Sequence, residues 1–405
     1  MRFRLHTTIA VLGAILLLPS LALTQEMPAA PGQDKPAAQQ QQAEPESSVQ
    51  EAPIEPVLSG PYPVMSKAAE DRGRQIFQMF NHTQTTEMWA SLSDGLRRHS
   101  GKEERFVEVN KKLREKMGLE TQMLAETIVP YIMAPDTVYS RLSNFANTRV
   151  PIIVEITINQ RGQIDGFTIR PEPTVAEGRY AGYQDTNKLK LPFADEWLVY
   201  FGGRTPFENV YALSDDQRFG FDFVYLKNDR MFSGKGGVGS KNEDYYCFGQ
   251  NILAPADGTI IKAEGLYDDN PPGKPSGDPG DGNTVVISHG SGESSVFNHL
   301  KQNSVKVKVG DKVKQGDVIG QCGNSGAGPI PYVHYQLRKT AGVPLPVQFV
   351  DYVADGKPVA SGEPKKGQFV KNAASASAAN PTAPAAKDKP APATASTTPS
   401  KTPTK

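Results

Sequence analysis

The hydrophobic pattern between residues 65 and 171 changes from a helical to an alternating period. Apolar side chains first recur every three or four residues in three successive stretches: Ala69, Gly73, Ile76, Phe77 and Phe80; Met88, Leu92 and Leu96; and Phe106, Val109, Leu113 and Met117. This spacing places each group on one stripe of a helix, so it predicts three amphipathic helices. His82 and His99 fall at the ends of these helices and are predicted to face solvent.

Alternating apolar and polar positions follow in four runs: Met123–Ile132, Thr137–Phe145, Val150–Ile158 and Gln163–Ile169. Period-two alternation is typical of half-buried strands. Helices followed by a meander of strands predict an α+β domain over residues 63–171. The pattern is similar to the cystatin-like, nuclear-transport-factor-like fold, and that resemblance implies a binding or spacing module.

A second, mostly β domain is predicted over residues 191–354, and its densest segment is Val305–Leu337. Val305–Val313 alternates as a strand, Gly310 and Asp311 supply a turn, and a glycine-rich loop precedes Tyr332–Leu337. Because successive side chains of a strand alternate between faces, Tyr332 and His334 are expected on the same face.

Composition divides the rest of the chain. Residues 1–22 have the basic start, apolar run and small-residue cleavage site of a signal peptide, which predicts an exported protein that is periplasmic, cell-wall-associated or secreted. No transmembrane segment is predicted in the mature chain. Residues 23–62 and 355–405 are rich in Ala and Pro and are predicted to be disordered, and residues 172–190 are predicted to be a linker.

Charge and cysteine content add two constraints. The 44 Lys and Arg residues balance 44 Asp and Glu residues, so nothing indicates a nucleic-acid partner. Cys247 and Cys322 are the two cysteines, and in an exported protein they form either a disulfide or two buried thiols.

Three blocks of the second domain carry a family resemblance. Gly249–Ile261, Val296–Leu300 and Val305–Leu337 resemble, in order and spacing, the lysostaphin/LytM-type zinc metallopeptidases. The resemblance implies an antiparallel sheet of the duplicated hybrid motif type, with a groove in which that family cuts peptide bridges of bacterial peptidoglycan.

The family's five site positions are matched unevenly. Its His-x-x-x-Asp motif corresponds to Arg218–Asp222, and its His-x-His motif corresponds to Tyr332–His334. The resemblance therefore implies that Asp222 and His334 are metal ligands and that His299 and Tyr332 occupy the catalytic positions. Arg218 stands where the other zinc ligand is expected.

These substitutions bear directly on catalysis. A catalytic zinc normally has three protein ligands and a water, whereas Arg218 is a permanent cation expected to pair with Asp222. Tyr332 replaces a near-neutral base with a phenol that titrates near pH ~10. We therefore expect an impaired or non-catalytic domain, without a cofactor, that binds peptidoglycan peptides or a partner wall hydrolase. The alternative is an active zinc metalloendopeptidase that cleaves peptidoglycan cross-links.

Overall fold

The computed structural model describes residues 64–373, apart from residues 133, 176–177, 179, 234–238, 276–279 and 340–341. The predicted signal peptide, the disordered segment 23–62 and the tail after residue 373 lie outside the described residues. Within them, no helix has the length and apolar content needed to cross a bilayer.

The amino-terminal part begins with helices, whose bounds are α1 Lys67–Asn81, α2 Thr85–Ala90, α3 Asp94–Ser100 and α4 Glu103–Met117. The predicted stripe of α1 is buried throughout. The second predicted helix is instead split into α2 and α3, because the backbone of Ser93 bonds to Ile164 and its hydroxyl caps α3 by accepting from the Leu96 amide. Val109 of α4 is half exposed, so that position of the predicted stripe is wrong.

Four antiparallel strands follow in the spatial order β1-β2-β3-β4, with bounds β1 Glu120–Pro130, β2 Thr137–Phe145, β3 Ile152–Ile158 and β4 Ile164–Pro171. Phe77 and Phe80 of α1 pack with Val154 and Ile156 of β3 in one buried cluster. The helices thus cover one face of the sheet, and the predicted α+β architecture is present. Its cystatin-like assignment stays a prediction.

The remaining strands have the bounds β5 Trp197–Phe201, β6 Phe221–Val224, β7 Asn251–Leu253, β8 Gly258–Ala263, β9 Asn283–Gly290, β10 Glu293–Leu300, β11 Lys312–Val313, β12 Val318–Gln321, β13 Val333–Lys339, β14 Pro344–Leu345, β15 Phe349–Ala354, β16 Lys357–Gly362 and β17 Phe369–Asn372. The large antiparallel sheet has the order β11-β8-β9-β10-β13-β6-β5-β17-β15-β16, with β14 beside β13. β7 and β12 form a separate pair. The predicted mostly β architecture is confirmed.

The predicted strand Val305–Val313 is largely wrong. Only Lys312 and Val313 pair with a neighbour, although Val305 and Val307 pack against the core. The alternation correctly places Val305, Val307 and Val313 inward, but not Val309, which is 64% exposed. It does not show whether another strand lies close enough to bond to the backbone.

The predicted boundary of the disordered tail at residue 355 is also wrong. β16 and β17 lie beyond it, and β17 fills the position between β5 and β15 with Val370 fully buried. Composition did not predict these short strands because they contain few apolar residues. β17 needs few because it is hydrogen-bonded to a strand on each side. The end of the predicted linker is also part of the packed structure. Leu189 is fully buried and forms an isolated backbone bridge with Phe349.

A disulfide joins Cys247 and Cys322, with an S–S distance of 2.09 Å and a Cα–Cα distance of 6.0 Å. The amide of Gly249 donates to the Cys322 carbonyl, and the amide of Cys322 donates to the Gln250 carbonyl, both at 2.8 Å. The bridge therefore secures the entry to β7 against the end of β12.

The amino-terminal part packs onto the large sheet. Met65 and Ile132 contact a cluster that contains Leu198, Val224 and Tyr332. Elsewhere, Phe207 packs with Leu142 and Ile153 in a smaller cluster. Residues of the first domain thus cover part of the sheet face to which Tyr332 belongs.

Candidate functional site

The site lies on three neighbouring strands in the middle of the large sheet. Asn298 of β10 is directly opposite His334 of β13, which is directly opposite Asp222 of β6. Residues directly opposite each other on antiparallel strands share a face. The sheet therefore brings together motifs that are far apart in the sequence.

His299 reaches the same face through an irregular backbone. Its φ is +62°, and the pairing of β10 with β9 slips between Phe297 and Leu300. Regular alternation would send the residue after Asn298 to the opposite face, and the left-handed conformation with the bulge redirects it. Its ring centroid lies 4.9 Å from that of Tyr332 and 6.2 Å from that of His334.

The protonation state of His299 follows from its surroundings. Nδ1 lies 2.8 Å from the Ser325 carbonyl oxygen, which can only accept, so Nδ1 carries the proton and donates. Burial, and then the nearby His334, lower the pKa of His299 to about 4. The ring is neutral at pH 7, and its Nε2 is an acceptor.

Asp222 is held by two hydrogen bonds. His334 Nδ1 lies 2.7 Å from Oδ1, and the Tyr211 hydroxyl donates to Oδ2 at 2.9 Å. Sequence reasoning missed Tyr211, which lies in a short 3₁₀ helix, Val210–Leu213, whose first turn is capped by Asn209. Asn209 Nδ2 also donates to the Gly220 carbonyl beside β6, so the sequence carries a cap signal but none that links it to Asp222.

His334 has a partner on its other nitrogen as well. Arg338 Nε donates to Gln336 Oε1 at 2.5 Å, which fixes the orientation of the amide because arginine can only donate. Gln336 Nε2 is then the donor to His334 Nε2, also at 2.5 Å. His334 therefore carries its proton on Nδ1 and directs it at Asp222. Gln336, a further residue that sequence reasoning missed, lies two positions along the same strand.

Tyr332 faces His299 and is hydrogen-bonded to the phenol of Tyr211. Because the Tyr211 proton is committed to Asp222, Tyr332 is the donor between the two phenols. Burial, followed by the charge of Asp222, raises the pKa of both phenols well above the ordinary value. Tyr332 can donate a hydrogen bond here but cannot act as a base near neutral pH.

Arg218 does not form the expected pair with Asp222. In the described part of the chain its ion pair is with Asp215, at 3.8 Å between Nη2 and Oδ1. Asp222 is only 5% exposed, and both of its oxygens already accept from neutral or imidazole donors. Neighbours from β13 and the 3₁₀ helix, rather than the guanidinium, supply the partners of this carboxylate.

The donor set does not fit a zinc ion. Across the described ranges, no group of three or more His, Cys, Asp or Glu side chains is arranged to hold a metal. The atoms of Asp222 and His334 that would bind one are hydrogen-bonded to each other, to Tyr211 and to Gln336. Zinc would require a third ligand and the loss of the proton that joins the two residues.

The histidines outside this cluster have other surroundings. His289 bonds the Asp257 carbonyl through Nδ1 at 2.9 Å and Ser295 Oγ through Nε2 at 2.7 Å, which is a structural role. His82 and His99 are exposed at helix ends, as predicted.

Comparison with known proteins places this architecture in a family. Residues 241–347 match the model for peptidase family M23, a span that includes His299, Tyr332 and His334 and begins after Arg218 and Asp222. Peptidases of this family are zinc-dependent.

Three curated relatives show the extent of the similarity. Stage II sporulation protein Q of Bacillus subtilis is 34% identical over 113 residues, 27% of this chain and 33% of the relative. Peptidoglycan DD-endopeptidase ShyA of Vibrio cholerae is 38% identical over 91 residues, 22% and 19% of the two chains. Murein hydrolase activator EnvC of Escherichia coli is 31% identical over 91 residues, 22% and 18%.

The chain spans about a third or less of the length of these relatives. The span that matches the family model holds β7–β14 and lies after the helical module. Residues 241–347 of this chain therefore form a LytM-type metallopeptidase domain of family M23.

Proposed function

We propose that this chain is an exported, cell-wall-associated protein whose M23 domain binds rather than cleaves, with a partner wall hydrolase as its target. The observation that carries the proposal is the hydrogen bonding of Asp222 and His334, which occupies both of the retained ligand residues. A site saturated in this way is stable without an ion. The domain keeps the family's fold but does not need the charge of a zinc ion at this site.

The chemistry of the catalytic positions supports the same conclusion. Peptide hydrolysis needs an activated water and a group that moves protons near neutral pH. Tyr332 is a phenol with a raised pKa, and His299 is neutral with one nitrogen bonded to a carbonyl. His299 alone retains an acceptor. Because Arg218 replaces one of the family's three zinc ligands, the site lacks the donor set for an ion that would polarise the water His299 would deprotonate.

Burial favours a protein partner over a wall peptide in the groove. Asp222, His299 and Tyr332 are 5%, 6% and 8% exposed, and Met65 and Ile132 pack on the cluster that contains Tyr332. A peptide would have to displace these contacts to reach the site, whereas a protein can bind the outer surface. One relative is named a murein hydrolase activator, a role of this kind.

The competing function is an active zinc metalloendopeptidase that cleaves peptidoglycan peptides. Its support is the convergence of Asp222, His334 and His299 on one face of the sheet, together with a relative named a DD-endopeptidase. Binding of zinc in this chain would require rearrangement of the partners of Asp222.

Metal content and activity separate the two functions. The purified full chain should contain well below one zinc per chain and should not digest peptidoglycan. Arg218→His combined with Tyr332→His restores the family's ligand and base and should raise both readings. The measurements are elemental mass spectrometry and release of soluble peptides from purified peptidoglycan.

A matched variant controls for zinc captured by added imidazoles. Arg98→His with Tyr267→His makes the same two substitutions at exposed positions outside the site and should change neither reading. Stoichiometric zinc and digestion by the unsubstituted chain would establish the active enzyme instead.

A further inference from the structure

A polar cavity of about 300 Å³ lies in the amino-terminal module, and all the residues that line it belong to that module. It is formed by the start of α3, the β1–β2 connection and the β3–β4 turn. Three of its lining residues are carboxylates, Asp94, Asp136 and Asp165. A cavity of this size falls at the lower end of the range that holds small molecules.

Asp136 is the unusual member of the set. It is 93% buried, it lines the cavity, and no hydrogen bond or ion pair to its carboxylate occurs among the described residues. Its backbone oxygen accepts from the Tyr131 amide at 2.8 Å, which fixes the residue in the connection. Neither of its carboxylate oxygens is among the described side-chain atoms that lack both solvent contact and a partner, so the carboxylate is open to the cavity and can accept a hydrogen bond from a ligand there.

The surrounding groups are held in place. Ser93 Oγ donates to Asp165 Oδ1 at 2.5 Å while capping α3, and Asn159 Oδ1 accepts from the amides of Arg161 and Gln163. The rim is therefore built by bonds within the module. Burial, together with the charge of Asp165, raises the pKa of Asp136 to about 6, as expected where carboxylates repel one another.

The geometry favours an organic cation over a metal ion. No three carboxylates in the described residues are close enough to share one ion, and calcium requires six to eight oxygens. A primary ammonium has three donors that can reach separate acceptors. Its organic remainder would occupy the rest of the cavity.

We propose that this cavity binds the primary ammonium group of a small molecule or a peptide, with Asp136 as its buried partner and the neighbouring Asp165 as a second acceptor. The proposal does not depend on the function of the M23 domain. Exposed Arg161 on the rim gives such a ligand a place for a carboxylate or carbonyl oxygen.

Calorimetric titration of the full chain at neutral pH tests the proposal. The probes are cadaverine, a trialanine peptide with a free amino terminus, the same peptide acetylated, and Ca²⁺ alone. The free amines should bind and the acetylated peptide should not. The tighter of the two amines identifies a free diamine or a peptide terminus as the source.

Asp136→Asn keeps the shape of the side chain and removes its charge, so it should weaken amine binding about tenfold or more. Glu87→Gln, a neutralised carboxylate on the exposed side of α2, should leave binding unchanged. Equal binding by Asp136→Asn, no binding of either amine, or binding of Ca²⁺ with no response to amines would each overturn the proposal. Thermal unfolding of each variant shows that it is folded.

Discussion

At the scale of single residues, the M23 site is defined by neutral hydrogen-bond partners where the family has charges. Tyr211 and Gln336 surround Asp222 and His334, and Tyr332 completes the chain of phenols. Each partner fixes a proton: on Tyr211 toward Asp222, and on His334 Nδ1 toward the same carboxylate. The result is a closed network, which is more stable than a partly satisfied one.

Asp136, in contrast, has no hydrogen-bond partner for its carboxylate among the described residues. The effect of this carboxylate on stability can be measured. The folded chain binds its proton more tightly than the unfolded chain does, because its pKa is raised from 3.8 to about 6. Stability from this group is present below about pH 4 and is lost as the pH rises to about 6. Asp136→Asn should therefore match the unsubstituted protein near pH 4 and exceed it by about 1–3 kcal/mol at neutral pH.

Urea unfolding at a series of pH values measures this difference. Asp165, Asp94 and Arg161 also line the cavity and are the same in both proteins, so the measured difference reports the charge of Asp136 and its repulsion by Asp165. Glu87→Gln serves as the control, and its stability should not diverge from that of the unsubstituted chain over the same range. A gain for Asp136→Asn that is as large at pH 4 would contradict the assignment.

At the scale of elements, the disulfide connects segments that would otherwise be joined only through the sheet. Cys247 and Cys322 are 75 residues apart in sequence, and both are buried. Closing a loop of this length restricts the unfolded chain. Replacing both cysteines by alanine should lower the free energy of unfolding by about 2–5 kcal/mol.

Denaturant unfolding with and without reductant checks this expectation. Reductant should destabilise the unsubstituted chain and should have no effect on the double-alanine variant. If reductant shifts both proteins equally, the stabilisation does not come from the bridge.

At the scale of the whole molecule, the sheet of the M23 domain extends beyond the span that matches the family. β17 lies between β5 and β15, and the Asn372 side chain bonds the backbone of Leu191 and Phe193 through three hydrogen bonds. The strand that follows the family match therefore completes the middle of the structure. It also connects the start of the domain to its end.

Two truncations test the position of this boundary. A chain ending at residue 373 keeps every described strand and should unfold at nearly the temperature of the full chain. A chain ending at residue 354 loses β16 and β17, leaves β5 and β15 without their shared neighbour, and should unfold at least several degrees lower or fail to fold. Calorimetry measures the unfolding temperature of both proteins. Equal unfolding temperatures would show that the domain ends at residue 354, as the sequence predicted.

Much of the fold could be read from periodicity because burial on one face imposes a period on the sequence. The stripe of α1 and the runs that became β1–β4 depend on local alternation, which the sequence carries directly. Val305–Val313 shows the limit of that argument. Val305, Val307 and Val313 face inward as predicted and Val309 does not, and strand pairing depends on a neighbour that local sequence does not specify.

The sequence by itself determined the residue types at the site: Asp222, His299 and His334 are present, and Arg218 and Tyr332 stand where the family has histidine. Only the tertiary structure decided their partners, because Tyr211 and Gln336 reach the site through a 3₁₀ helix and a strand face that no motif marks. The same holds for Asp136, an ordinary aspartate in the sequence. Burial without a partner is a property of the folded surroundings, and it alone makes that carboxylate a candidate binding group.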